Sequence, residues 1–278
     1  MKKEQLEYAA ARYGTPLYIF DLDILKKQTD RLRKALGKET GLCYAMKANP
    51  FLTEQMAEQA DRIEVCSMGE FEICRSLGIP PEKLFISGVL KKKEDIYRIL
   101  EIYGEKCRYT VESVRQLHYF LEWSDTHMKT LRLYPRLTNG SQFGMDEETM
   151  RSIVSIVNMS PYLEIEGIHY FSGTQKRHIR QFRQELQMLD RFLQKIRDEW
   201  NVEIRHLEYG PGTAVPYFIG KEAETYTDDG LGELKEAIRS MEWNGNVTIE
   251  LGRAFAAECG YYLTEIRDVK KNGDTQYC

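Results

Sequence analysis

Leu42-Cys43-Tyr44-Ala45-Met46-Lys47 is an apolar, β-prone run that ends on an ammonium and is followed at once by Ala48-Asn49-Pro50. A lysine so placed has two fates. It snorkels to the surface from the end of a strand, or it is buried, where loss of water favours the neutral amine and makes it a nucleophile able to form a Schiff base with a carbonyl. The rest of the chain bears on the choice. Further β-prone runs recur at 62–67, 83–88, 106–111, 131–136, 164–171, 204–210 and 246–252, making eight in all. Between them 69–77, 93–101, 112–122, 146–158 and 177–200 carry apolar residues at helical spacing, and 22–37 reads as a helix ahead of the first strand. Eight βα units predict an α/β chain closed into a (β/α)8 TIM barrel, whose functional groups collect at the carboxyl ends of the strands.

The unusual residues fall there. The first strand ends in Lys47, the sixth in Phe171 before Ser172-Gly173-Thr174-Gln175, the seventh before Gly210-Pro211-Gly212-Thr213, and the eighth in Glu250-Leu251-Gly252-Arg253. Alternate residues of a barrel strand face the interior. With Leu42, Tyr44 and Met46 outward, Cys43, Ala45 and Lys47 point in; Val247, Ile249 and Leu251 outward leave Thr248 and Glu250 inward. In the fifth strand the same rule turns Arg132, Tyr134 and Arg136 inward, so Lys47, Glu250 and Arg132 are predicted to share the barrel interior.

A chain of 278 residues suits one large barrel. Its 39 basic and 43 acidic residues are well mixed and give a net charge of −4, which shows neither a nucleic-acid footprint nor a membrane-binding patch. No apolar run approaches the roughly 20 residues of a membrane span, and Met1-Lys2-Lys3-Glu4-Gln5 leads into a charged helix, so a cytoplasmic protein is expected. Cys43, Cys66, Cys74, Cys107, Cys259 and Cys278 are scattered without a Cys-x-x-Cys pair or a histidine at ligand spacing. They read as reduced thiols, and no metal is expected. Metal-assisted hydrolysis, nucleotide phosphoryl transfer and serine hydrolysis lack their motifs.

What the rim offers matches the needs of a pyridoxal 5'-phosphate site: a lysine for the aldehyde, an anion cradle, and a group that sets protonation of the pyridine nitrogen. Gly173-Thr174, Gly210-Pro211-Gly212 and Gly252-Arg253 supply close-approach glycines, backbone N–H groups, a hydroxyl and a guanidinium. Glu250 could pair with the pyridine nitrogen, or it could form a salt bridge with Arg132 or Arg253. His169 and Phe171 share a parity, so either could lie against a flat cofactor, or both could simply fill the barrel.

These segments resemble the fold-type III pyridoxal-phosphate enzymes, specifically the ornithine, diaminopimelate and arginine decarboxylases with an alanine-racemase-type barrel. The resemblance runs through Thr15-Pro16-Leu17-Tyr18-Ile19-Phe20-Asp21, Tyr44-Ala45-Met46-Lys47-Ala48-Asn49, Val65-Cys66-Ser67-Met68-Gly69-Glu70 and Ser141-Gln142-Phe143-Gly144. It continues through Gly167 to Gln175, Glu208 to Gly212, Val215-Pro216-Tyr217 and Glu250-Leu251-Gly252-Arg253. It implies that Lys47 carries the cofactor's aldehyde, that Glu250 meets the pyridine nitrogen, and that Thr174, Gly210, Gly212, Gly252 and Arg253 hold the phosphate. It also implies decarboxylation of a small amino-acid substrate by a homodimer, with Lys47 and His169 as candidate catalytic residues. The departures are specific. Phe171 stands where the family stacks a histidine, with Thr174 after the glycine; Pro211 removes one backbone donor from a glycine triplet; Glu64 stands for an aspartate. They suggest a divergent subfamily acting on a diaminopimelate- or ornithine-like substrate or on a carrier-linked amino acid.

The implied organisation is 1–21 as an N-terminal helix and strand associated with a β-domain, 22–253 as the cofactor-binding barrel, and 254–278 as the start of a truncated C-terminal β-domain. Two other functions fit the same motifs: an amino-acid racemase of related fold, and a decarboxylase-like protein kept as a non-catalytic binding or regulatory partner.

Overall fold

The computed structural model describes every residue except 89–90, 219 and 222. Helix α1 (Lys3–Tyr13) and strand β1 (Leu17–Phe20) come first, and α2 (Leu22–Leu36) leads into the barrel. The parallel strands are β2 (Gly41–Ala45), β3 (Arg62–Val65), β4 (Leu84–Ile86), β5 (Arg108–Val111), β6 (Leu131–Pro135), β7 (Leu163–Ile165), β8 (Gly167–Phe171), β9 (His206–Gly210) and β10 (Asn246–Leu251). Among the described residues they form one sheet in the order β7-β6-β5-β4-β3-β2-β10-β9-β8. Its two ends meet: Arg136 bridges His169 in parallel, and Leu137 N donates to His169 O at 3.0 Å, so β8 lies beside the end of β6. The eight-strand barrel expected from the spacing is present, with one difference. The run 164–171 is two strands, because its first part pairs with β6 and its second with β9, and Glu166 between them donates its N–H back to Leu133 O.

Helices α3 (Thr53–Gln59), α4 (Met68–Ser76), α5 (Lys93–Tyr103), α6 (Val114–His127), α7 (Glu147–Met159), α8 (Ile179–Trp200) and α9 (Asp228–Arg239) wrap the sheet, and the short α10 (Arg253–Ala256) follows the last barrel strand. Several start at the carboxyl rim on a capping side chain: Ser67, Ser113, Asp146 and Thr227 each accept a backbone N–H of the first turn. Such caps satisfy otherwise orphaned donors and fix where each βα loop ends. The apolar stripes then dock; α8 buries Phe182, Leu186, Leu189, Phe192, Leu193 and Ile196, at about 1.5–3 kcal/mol for each large side chain removed from water.

Parity holds where it was read. Leu42, Tyr44, Met46, Val247, Ile249 and Leu251 belong to the apolar layer between sheet and helices. The interior is polar. Low in the barrel, Arg62 pairs with Glu208 at 2.5 Å and stacks with Tyr134, and His206 contacts Thr248 Oγ1 at 2.8 Å.

Outside the barrel β1 pairs antiparallel with β11 (Gly260–Leu263), with the Tyr18 and Tyr262 rings packed at a tilt, 4.7 Å between centroids. The last strands, β12 (Lys270–Asn272) and β13 (Thr275–Tyr277), form a hairpin. No described helix is long and apolar enough to cross a membrane.

Candidate active site

The strand ends bring the titratable groups to one mouth of the barrel. β2 stops at Ala45, and Met46–Ala48 make a single 3-10 turn that carries Lys47 over the rim. Lys47 Nζ touches Glu64 Oε2 from β3 and lies 3.2 Å from Glu250 Oε1 of β10. The other Glu250 oxygen meets His169 Nε2 at 3.2 Å. Glu64, Glu250 and His169 are all buried, whereas the Lys47 side chain remains 42% exposed along the cavity wall.

These contacts reverse one expectation. Burial does pull the Lys47 ammonium down, but the carboxylates of Glu250 and Glu64 outweigh it and hold the amine well above its ordinary pKa. The resting amine is therefore protonated, and its nucleophilic form requires the loss of that proton. Glu250 responds in kind: burial pushes its carboxyl up, and the charge of Lys47 with the His169 contact more than compensates, leaving it below the usual carboxylate range.

Glu250 pairs with neither Arg132 nor Arg253. Arg132 points to the opposite mouth, where its Nη2 donates to the carbonyls of Glu105 and Lys106 at 2.8 and 3.2 Å. The arginine that reaches the site is Arg136, the residue after β6, buried in a two-oxygen pair with Glu112 at 3.2 Å and facing the Phe171 ring at 5.9 Å. Phe171 and His169 also separate. Phe171 stands in the mouth with Lys47 Nζ 5.6 Å from its ring centre, while His169 lies beneath it, edge-on to Phe85 and bound to Glu250.

Two connected cavities share Lys47, Phe171, Gly173, Thr174 and Glu250. One, of about 400 Å³, extends toward Gly212, Thr213, Gly252 and Arg253; the other, of about 480 Å³, extends toward Glu64, Cys66, Ser87, Arg136 and Phe143. The first has the donor set of an anion cradle. Among the described residues the amides of Gly173, Thr174, Gly212 and Arg253 have no protein acceptor, and the buried Thr213 hydroxyl has no partner. Gly212 is required there: its φ is +69°, and a Cβ would lie 2.1 Å from Gly173 O. Arg253 donates to the Tyr217 hydroxyl at the edge of this cavity. Unpaired donors, a hydroxyl and a guanidinium within one cavity of Lys47 fit a phosphate-bearing aldehyde.

Gly210 has a packing role. It lines neither cavity, and a Cβ on it would fall 2.3 Å from Phe171 Cδ2, so the glycine makes room for that ring. The other predicted residues, Lys47, Glu64, His169, Phe171, Thr174, Gly212, Glu250, Gly252 and Arg253, gather at the two cavities. Sequence reasoning passed over Cys66 and Ser87. Alternation in their strands would have found both, since Ile63, Val65, Leu84 and Ile86 lie in the outer apolar layer.

A family model described as the pyridoxal-dependent decarboxylase, pyridoxal binding domain, matches residues 22–257. Diaminopimelate decarboxylase of Aquifex aeolicus is 25% identical over 98% of this chain and 67% of its own length. The L-glutamyl-[BtrI acyl-carrier protein] decarboxylase of Niallia circulans is 27% identical over 96% of this chain and 67% of its own length. The crystal structure of diaminopimelate decarboxylase from M. jannaschii superposes with a TM-score of 0.85 at 24% identity, covering 97% of this chain and 68% of that one. The chain thus spans about two thirds of the length of the curated relatives it matches. With a lysine and a paired glutamate at the mouth of the barrel these relatives share, the chain belongs to the pyridoxal-dependent decarboxylases, of whose pyridoxal-binding domain it is an example.

Proposed function

We propose that this chain holds pyridoxal phosphate at the mouth of its barrel and serves decarboxylation of an amino acid. The observation that carries the reading is that Lys47, Glu250 and the glycine turns at 173, 212 and 252 line one cavity. When bound, pyridoxal phosphate supplies an aldehyde for an amine and a ring that draws off the electron pair left when CO₂ departs from the α-carbon. The protein's part is to bind, orient and manage protons. Lys47 would supply the amine for that aldehyde, its Nζ held between Glu64 Oε2 and Glu250 Oε1. Glu250, anchored by His169, would present its negative charge to the pyridine nitrogen. Thr174, Gly212, Gly252 and Arg253 would hold the phosphate, Phe171 would lie against the ring, and Gly210 would act through Phe171.

Residues 22–253 are the cofactor-binding unit in this reading, and 1–21 with 254–278 belong to a second, β-rich unit. The assembly is a cytoplasmic homodimer. Relatives named for diaminopimelate and for a carrier-linked glutamyl group support an amino acid of either kind as substrate. Borohydride reduction of the protein with pyridoxal phosphate, followed by peptide mass analysis, tests the site: a pyridoxyl adduct on Lys47 that vanishes in Lys47→Ala is the expected result, and its absence from the wild-type chain refutes it. Release of CO₂ rather than of the mirror-image amino acid separates decarboxylation from racemisation.

A further inference from the structure

The carboxylate that touches Lys47 is held from behind. Glu64 has a side chain 4% exposed, and its two oxygens face different partners: Oε2 meets Lys47, while Oε1 accepts from Ser87 Oγ at 2.5 Å and Cys66 Sγ at 2.9 Å. Ser87 Oγ and Cys66 Sγ are themselves 3.3 Å apart, closing a triangle at the ends of β3 and β4. The main chain fixes both donors. Ser87 N donates to Val65 O at 2.8 Å, and Cys66 N donates to Glu70 Oε2 at 2.6 Å.

Hydrogen bonds from a hydroxyl and a thiol to a carboxylate oxygen are charge-assisted, the hydroxyl's the stronger because it is the better donor. They also stop the carboxylate from turning about its last torsion, so that Oε2 stays on Lys47. We propose that Ser87 and Cys66 are positioning residues that hold Glu64 aimed at Lys47 Nζ, and through that contact set the protonation of the reactive amine. The inference rests on Lys47 being the amine that takes the cofactor. Lys47 is faced by Glu64 and Cys66 from β3 and its end, by Glu250 from β10 with His169 of β8 behind it, and by the Phe171 ring. Glu70 stands behind Cys66, and Arg136, paired with Glu112, reaches the Phe171 ring. Substituting Ser87 and Cys66 leaves all of these in place and changes only how Glu64 is held.

Reductive methylation of the full chain without added cofactor reads the neutral fraction of each lysine directly. Lys3, 84% exposed, serves as an internal reference, and labelling is followed by peptide mass analysis from pH 7 to 10. In the wild-type chain Lys47 is expected to label more slowly than Lys3. Loss of charge-assisted hydrogen bonds at Glu64, only partly passed on to the amine, should speed Lys47 labelling in Ser87→Ala/Cys66→Ala by roughly threefold to tenfold. Cys66→Ser, which keeps a donor, should stay within about twofold of wild type, and Glu64→Gln should set the upper limit. Circular dichroism identifies folded variants, and Ser87→Ala alone carries the expectation if the double variant unfolds. Unchanged labelling in the folded Ser87→Ala variants, or no acceleration in Glu64→Gln, overturns the proposal. Because no cofactor is present, a shift in labelling without a pyridoxyl adduct in the borohydride test would retain the positioning role and reject the cofactor reading.

Discussion

Gly210→Ala tests how the ring over Lys47 is seated. Phe171 and Gly210 are direct neighbours across the β8–β9 pair, and an added methyl would lie 2.3, 3.0 and 3.3 Å from Cδ2, Cε2 and Cγ of the ring. Carbon atoms pack at about 3.5–4.0 Å, so the ring must retreat by roughly 1.2 Å or more. Overpacking of this kind costs about 1–3 kcal/mol, offset by about 0.4–1 kcal/mol because alanine restricts the unfolded chain at a position whose φ it tolerates. The net loss, about 1.3 kcal/mol at the midpoints of these ranges, should lower Tm by roughly 3–5 °C for a chain of this size. The discriminating measurement is a double-mutant cycle in urea. In Phe171→Ala the obstructing ring is gone, so Gly210→Ala should become neutral or stabilising there, with a coupling of about 1–3 kcal/mol. Additivity within about 0.5 kcal/mol would refute the claim that Gly210 exists to admit Phe171. A Gly210→Ala chain that also binds pyridoxal phosphate as tightly as wild type would show that the ring's position over Lys47 is immaterial to the site.

Two other perturbations separate parts of the site. Arg253→Ala should weaken pyridoxal phosphate roughly 10- to 100-fold, the worth of a charge-assisted contact, yet change pyridoxal, which lacks the phosphate, by no more than about twofold. Equal losses in absorbance titrations with the two ligands would remove Arg253 from the phosphate site. Lower in the barrel, burial pushes the Glu208 carboxyl up from 4.5 to about 7 against the pull of Arg62. A carboxyl raised on folding contributes stability that is complete below its unfolded pKa and is lost as pH rises through the folded value. Between pH 4.5 and 7 the wild-type chain should therefore lose up to about 3 kcal/mol relative to Glu208→Gln in urea unfolding. Parallel stability profiles for the two proteins would show that Glu208 keeps its proton affinity unchanged on folding.

How much of this was legible in the sequence depended on whether a property is set by backbone alternation or by contacts across the barrel. Alternation is local. It turned Lys47 and Glu250 inward correctly, because the large apolar side chains of the same strands had a layer of helices to bury against. Applied to the strands ending at Cys66 and Ser87, it would also have exposed the groups behind Glu64. Height along the barrel axis is not local. Arg132 and Arg136 have the same parity, yet four residues of rise separate one mouth from the other, so only Arg136 reaches the site. The choice between His169 and Phe171 fails for the same reason: two residues apart on one face, they stand at different depths, and depth alone leaves the histidine to Glu250 and the phenylalanine to the mouth.

The protonation of Lys47 was the least legible property. Burial, which a sequence suggests, and pairing, which it does not, act on the same amine with opposite signs. Glu64 lies 17 residues from Lys47 and Glu250 lies 203, and only the register of β2 between β3 and β10 sets both carboxylates beside one ammonium. Two anions around one cation give a resting state that holds the proton. The same two anions hold Nζ at the wall shared by both cavities, so the pairing that suppresses the free amine also fixes where it stands.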